Sequence, residues 1–187
     1  MISHHLSKTD MIRNCLIFLF FLLTGPLAAQ QKTYSWNARA GIDLPVGIFS
    51  RSHFPGIGAG VQYSKHRFGK QTLKPKKRMS FLLDAGGDYY FGKNVNTGGY
   101  PFKYSGYGLV HTYGGFQFRF QKKVFLSLAA GPGLGFYNGS TRFNIGTTLS
   151  GTYLTGKRTG LTPSFKLTRE SGADWLAAFS IGGNWLF

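Results

Sequence analysis

The sequence predicts an all-β protein, an eight-stranded antiparallel up-and-down transmembrane β-barrel that follows an N-terminal signal peptide. Three observations carry this prediction. The first 29 residues read as an export leader, an apolar/polar alternation of period two recurs eight times, and the last alternating segment runs out to the aromatic residue Phe187.

The leader has Arg13 as its positive region, an apolar stretch from Cys15 to Leu23, and small residues from Thr24 to Ala29. Cleavage is expected after Ala29, giving a signal peptide over 1–29 and a barrel domain over 30–187. The polar residues ahead of Met11 suggest that Met11 is an alternative start. A spanning helix needs about 20 consecutive apolar residues, and Thr24-Gly25-Pro26 interrupts this run well short of that. Cys15 opens the apolar stretch instead of closing it, which argues against a lipoprotein. It is also the only cysteine, so the mature chain can form no disulfide.

The whole chain carries 22 Lys and Arg against 6 Asp and Glu. Removing Lys8, Asp10 and Arg13 with the leader leaves 20 basic and 5 acidic side chains. For an exported protein the expected counter-charges are anionic lipid head groups, lipopolysaccharide phosphates or cell-wall polymers, and not nucleic acid. With 27 Gly, 18 Phe and 10 Tyr, the composition suits closely packed strands better than helices.

Each strand follows from its alternation. Tyr34, Trp36, Ala38, Ala40 and Ile42 form one face of the first, and Ile57, Ala59, Val61 and Tyr63 one face of the second. Phe81 to Phe91 and Val110 to Phe120 give the third and fourth. After a turn at Gln121-Lys122-Lys123, Val124 to Ala130 gives the fifth. Phe143 to Leu149 is the sixth and Leu161 to Leu167 the seventh. Pro163 marks an edge or bulge there, because proline removes a ladder donor. The eighth, Trp175 to Phe187, is about as long as a tilted membrane strand with its flanking residues. An even number of antiparallel strands can close, which removes every edge and satisfies the backbone inside lipid.

A soluble barrel or sandwich would turn its apolar face inward. Two features favour the membrane barrel. The opposite faces are rich in Gly, Ala and Ser, as a cramped lumen requires. Aromatic residues gather at the strand ends, with Tyr34, Trp36, Phe118, Phe120, Trp185 and Phe187 at one rim and Tyr89, Phe91, Phe136 and Trp175 at the other.

On these grounds, and on the closing strand Phe179-Ser180-Ile181-Gly182-Gly183-Asn184-Trp185-Leu186-Phe187, the chain resembles the small outer membrane protein β-barrel domain family of eight-stranded OmpA- and OmpX-like barrels. The resemblance implies that Trp185 and Phe187 form the signal read by the barrel assembly machinery. It also implies an outer-membrane location, with both termini in the periplasm. The outer loops would then be 44–54, 92–103, 138–140 and 170–173, none long enough for a folded lid or plug.

The expected chemistry is that of an interior charge network and a basic rim. Asp43, Asp84, Asp88 and Asp174 fall on the lumen phase with Arg39, Arg119, Arg142 and Lys166. Unpaired buried charge is very costly, so these residues are expected to pair, although Asp43 and Asp174 are equally readable as solvated rim groups. An eight-stranded barrel has room for little but its own side chains, which argues against an open pore. Lys74, Lys76, Lys77 and Arg78 make the periplasmic rim basic; they would attract an anionic periplasmic or cell-wall partner, or serve as a solvated turn.

The expectation for function is non-enzymatic, a structural or interaction role in the cell envelope, with outer-membrane lipids and lipopolysaccharide as partners and no cofactor. A subunit of a secretion or assembly complex and a small-solute channel are the alternatives. A lipid A-modifying enzyme would have to use His53, near Ser50 and Ser52, or His111, and no metal-ligand spacing is present. Gly131-Pro132-Gly133-Leu134-Gly135 lacks the Lys-Ser/Thr of a phosphate loop and reads as close backbone packing within a strand.

Overall fold

The computed structural model describes residues 34–68, 79–97, 100–171 and 175–187. The leader, Asp174 and the Lys74, Lys76, Lys77 and Arg78 cluster lie outside the described residues. The strands are β1 (Tyr34–Val46), β2 (His53–Phe68), β3 (Met79–Gly92), β4 (Asn94–Thr97), β5 (Tyr100–Lys103), β6 (Tyr107–Arg119), β7 (Val124–Tyr137), β8 (Ser140–Leu154), β9 (Thr159–Glu170) and β10 (Trp175–Leu186). One helical turn, α1 (Phe49–Ser52), lies between β1 and β2.

Eight of the strands close into one antiparallel barrel in the order β1-β10-β9-β8-β7-β6-β3-β2. All eight predicted alternating segments are in it, most of them extended toward a rim, while the last ends at Leu186, one residue short of the expected Phe187. The β4–β5 hairpin stands outside the barrel within the β3–β6 connection. Its four-residue strands are too short for the alternation to reveal.

The registers fix the shape. Moving across the ladders from Trp36, the partners are Tyr63, Leu83, Gly114, Ala130, Thr147, Leu167 and Ala177. Ala177 pairs back onto β1 at Val46, ten positions beyond the start. A stagger of that size around eight strands tilts them by about 40° and leaves an interior that side chains alone can fill.

Period two then decides what each residue faces. Ile42, Ile57, Val110, Leu134, Ile145, Leu149, Phe179 and Ile181 are exposed on the outside, whereas Asp43, Asp84, Asp88, Asn144, Thr148 and Asn184 are buried inside. This is the inverse of a soluble protein and requires an apolar solvent around the barrel. Trp36, Phe118, Phe120, Trp185 and Phe187 ring the end that carries the chain termini, and Tyr89, Phe91, Phe136 and Trp175 ring the loop end, all of them exposed. Phe187 also donates its backbone N–H to Trp36 O at 2.9 Å, tying the last residue to β1.

Pro163 and Pro132 sit inside the ladder without a slip, which corrects the expectation of an edge or bulge at Pro163, whereas the β2–β3 register does shift between His53 and Gly56, around Pro55. The β8–β9 pairing passes from Ser150↔Ser164 to Tyr153↔Leu161 without changing register, and β6–β7 passes likewise from His111↔Gly133 to Gly114↔Ala130 opposite Pro132. Each missing donor costs a local gap and no slip. At the tight β7–β8 hairpin, Asn138 (φ 48°) and Gly139 (φ 74°) both take the left-handed conformation that a two-residue turn of this hand demands.

Candidate functional site

The lumen is filled by a charged chain of side chains drawn from four strands. Lys166 on β9 donates to both carboxylate oxygens of Asp43 on β1, at 3.0 Å each, and to Asp88 Oδ1 on β3 at 2.7 Å. Arg39 on β1 donates through Nη2 to Asp84 Oδ2 on β3 at 2.6 Å. His111 on β6 joins the two groups. Its Nε2 lies 3.5 Å from Arg39 Nη2, and its Nδ1 lies 3.8 Å from Asp88 Oδ2, too far for a direct hydrogen bond. Asp43 has no solvent exposure. It is therefore a lumen group and not a solvated rim residue.

Glycine makes this arrangement fit. A Cβ on Gly58 would meet Asp88 Oδ1, Asp43 Oδ2 and Lys166 Nζ, and one on Gly133 would meet the Asn144 side-chain oxygen. The row Arg39↔Gly60↔Gly86↔His111↔Gly133↔Asn144 across β1, β2, β3, β6, β7 and β8 alternates bulk with empty space. With Gly60 and Gly86 side by side between Arg39 and His111, and Gly133 between His111 and Asn144, this is what the Gly-rich inner faces provide. Beside the network a cavity of about 20 Å³, lined by Arg39, Asp88, Ser164, Lys166 and Asn184 among others, has room for about one water.

Two of the expected network members are elsewhere. Arg119 is at the terminus end of β6, where Nε donates to Gln121 O at 3.3 Å, Nη2 donates to Lys122 O at 3.2 Å, and the guanidinium lies 5.6 Å from the centre of the Phe125 ring. Arg142, near the loop end of β8, is exposed. Both have the inward phase, but phase does not set height, and the stagger carries both to rims. Conversely Glu170, assigned by sequence to an outer loop, ends β9 as a buried acceptor for Tyr107 OH at 2.6 Å. Its inward parity with Lys166 and Thr168 was the available signal.

Apolar clusters pack in the lumen above and below the network. Phe125, Leu154 and Leu186 pack at the terminus end, with Leu82, Tyr113 and Ala129 forming a second cluster. At the loop end Phe49, Tyr90, Tyr107, Leu109 and Ala178 pack together. Phe49 comes from α1 in the first loop, so that loop does carry a plug, contrary to the sequence expectation. A short segment needs only one aromatic side chain to stopper a mouth of this width.

The two candidate histidines differ in setting. His111 is held within the network. His53 lies at the mouth, with Nδ1 2.8 Å from Ser52 Oγ and its ring 4.6 Å from that of Phe49. Among the described residues no cluster of His, Cys, Asp and Glu could hold a metal ion.

The loop-end rim is basic. Arg51, Lys103, Arg142 and Arg169 are exposed there. Lys93 donates to Ser50 O at 2.6 Å, with Nζ 5.1 Å from the Phe54 ring centre, and the Arg169 guanidinium lies 5.5 Å from the centre of the Trp175 ring. Phe54 and Trp175 are on the outer, apolar face, so these two cations stand at the level where hydrocarbon gives way to head groups.

A closed eight-stranded barrel with an apolar outside, aromatic rims and a polar, filled lumen is a transmembrane barrel of the outer-membrane type. Comparison with solved structures finds the same fold. The outer membrane protein Ail of Yersinia pestis in a phospholipid bilayer nanodisc superposes with a TM-score of 0.53 at 12% identity, covering 82% of this chain and 99% of that one. A de novo designed transmembrane β-barrel gives 0.52 at 12% identity over 84% and 99%. Ail in complex with the heparin analogue sucrose octasulfate gives 0.51 at 10% identity over 82% and 99%. No known family profile matches the sequence. No curated protein matches it either.

Proposed function

We propose that the protein is a non-enzymatic integral barrel of the outer membrane, filled and not conducting, whose basic loop-end rim binds the phosphates of lipopolysaccharide in a structural or interaction role. The observation that carries this reading is the rim itself. Lys93, Arg142 and Arg169 stand there with Arg51 and Lys103, while the one described carboxylate at that height, Glu170, is buried and bonded to Tyr107. Charge near a membrane surface is worth about 1 kcal/mol per basic side chain.

The test is binding of lipopolysaccharide to the barrel in phosphatidylcholine nanodiscs. Replacing Lys93, Arg142 and Arg169 together by Gln is expected to weaken binding roughly a hundred-fold at low salt, and high salt is expected to shrink that difference. Equal binding by the two proteins at low salt would refute the proposal. Sucrose octasulfate, which Ail is seen to bind, supplies a soluble polyanion for the same comparison.

What supports a non-conducting reading is the ion-paired lumen with apolar packing at both ends; a planar bilayer containing the protein is expected to stay silent, and discrete conductance steps would support the channel instead. For the enzyme alternative, His111 Nε2 faces Arg39, while His53 Nδ1 lies 2.8 Å from Ser52 Oγ. Replacing His53 or His111 is expected to leave the mass spectrum of lipid A unchanged. The role of Trp185 and Phe187 as an assembly signal is supported by their place on the outer face of β10, the strand that closes onto β1.

A further inference from the structure

Phe49 is the one apolar side chain of α1 turned into the barrel. It is 4% exposed, while Ile48 beside it is 62% exposed. Its ring sits in an aromatic cage, edge-on to Tyr90 at 4.8 Å and to Tyr107 at 5.6 Å, and against His53 at 4.6 Å. The cage belongs to the barrel and not to the loop. Tyr90 and Tyr107 are partners across the β3–β6 ladder, and Tyr107 is fixed by its bond to Glu170. These walls stand whether or not Phe49 is present.

The segment that carries Phe49 is held differently. Gly47, just ahead of the Ile48 cap of its four-residue helix, is left-handed with φ 63° and has open space around it. Apart from the Phe49 ring, Lys93 holds the segment through Nζ to Ser50 O and N–H to Ser52 O, and Ser52 Oγ lies 2.8 Å from His53 Nδ1. Between the Phe49 ring and the lumen network is a second cavity of about 10 Å³, lined in part by Lys166 and Thr168. The rest of its lining is apolar or aromatic, and an unsubstituted ring leaves the space beside Lys166 and Thr168 unfilled. A hydroxyl on the ring would enter it on the side that Thr168 and Lys166 line.

We propose that the mouth is a binding site for small phenolic compounds, which Phe49 occupies as a tethered competitor. The ligand ring takes the place of Phe49 between Tyr90 and Tyr107, its hydroxyl points toward Thr168 and Lys166, and α1 swings outward on Gly47. Edge-to-face contacts of this kind favour an aromatic over an aliphatic guest of equal area.

The experiment uses the full barrel in nanodiscs, p-cresol as the probe and toluene as its hydroxyl-free control. A spin label is placed at Ile48→Cys in a chain without Cys15. Phe49→Ala, shown to be folded by circular dichroism, is expected to bind p-cresol saturably and at least ten-fold more tightly than the intact chain, with toluene weaker. Phe49→Tyr, which carries its own hydroxyl into the cavity, is expected to show no saturable binding. In the intact chain, saturating p-cresol is expected to increase the mobility of the label at 48. Absence of saturable binding to folded Phe49→Ala overturns the proposal, as does equal binding by the intact and Phe49→Tyr chains. So does a label that stays unmoved, because the cavity would then be only a product of the truncation. Lipopolysaccharide binding at the rim is read separately and is unaffected by these outcomes.

Discussion

At the residue scale the decisive group is Lys166, whose ammonium answers two buried carboxylates at once. Removing one partner of a buried pair typically costs about 3–5 kcal/mol, because the remaining charge is left without compensation. Lys166→Met is expected to lose that much stability in urea unfolding from lipid vesicles, and Asp43→Asn in the same background to restore part of it. A Lys166→Met barrel as stable as the original would show that the network carries no such strain. Arg142→Ala, by contrast, is expected to change stability by no more than about 0.5 kcal/mol, as for an exposed side chain without buried partners. Sequence placed Lys166 and Arg142 in the same network because both have inward parity. Parity is a property of one strand and is readable from it. Height in the barrel depends on the stagger summed over all eight ladders, which no single segment reveals. Glu170 escaped for a related reason, since strand ends are where alternation is shortest.

At the element scale, the turns and plugs were less legible than the strands. Strong period-two segments with aromatic ends located all eight barrel strands, and Asn138-Gly139 announced its hairpin through residues that accept positive φ. Replacing that pair by Ala-Ala forces two side chains into the left-handed region at about 1–2 kcal/mol each. The variant is expected to fold more slowly into lipid vesicles, measured by the kinetics of tryptophan fluorescence, and an unchanged rate would mean that the hairpin forms late. The β4–β5 hairpin and α1 are too short to generate a period. Phe49 stands among Leu44, Val46, Ile48 and Phe54 in the same loop, so composition did not single it out. Length alone was a poor guide there, because the stagger leaves a mouth that one ring can close.

At the scale of the whole molecule the account rests on inversion, with apolar groups outside and charged groups inside. Apolar side chains pack at both ends of the polar lumen, around Phe49 above and among Phe125, Leu154 and Leu186 below, so the proposals concern the rims and the mouth. The same inversion places all three tryptophans on the outer face, with Trp36 and Trp185 near the termini and Trp175 near the loops, each 51–53% exposed. Their position is testable without any substitution, by measuring how lipids brominated at different depths quench the intrinsic fluorescence of the protein in bilayers. The account predicts strong quenching by bromine near the glycerol level, weaker quenching by bromine at the acyl-chain ends, and little by aqueous iodide. Efficient quenching by iodide with no response to either brominated lipid would contradict it, because the apolar face would then be turned away from lipid.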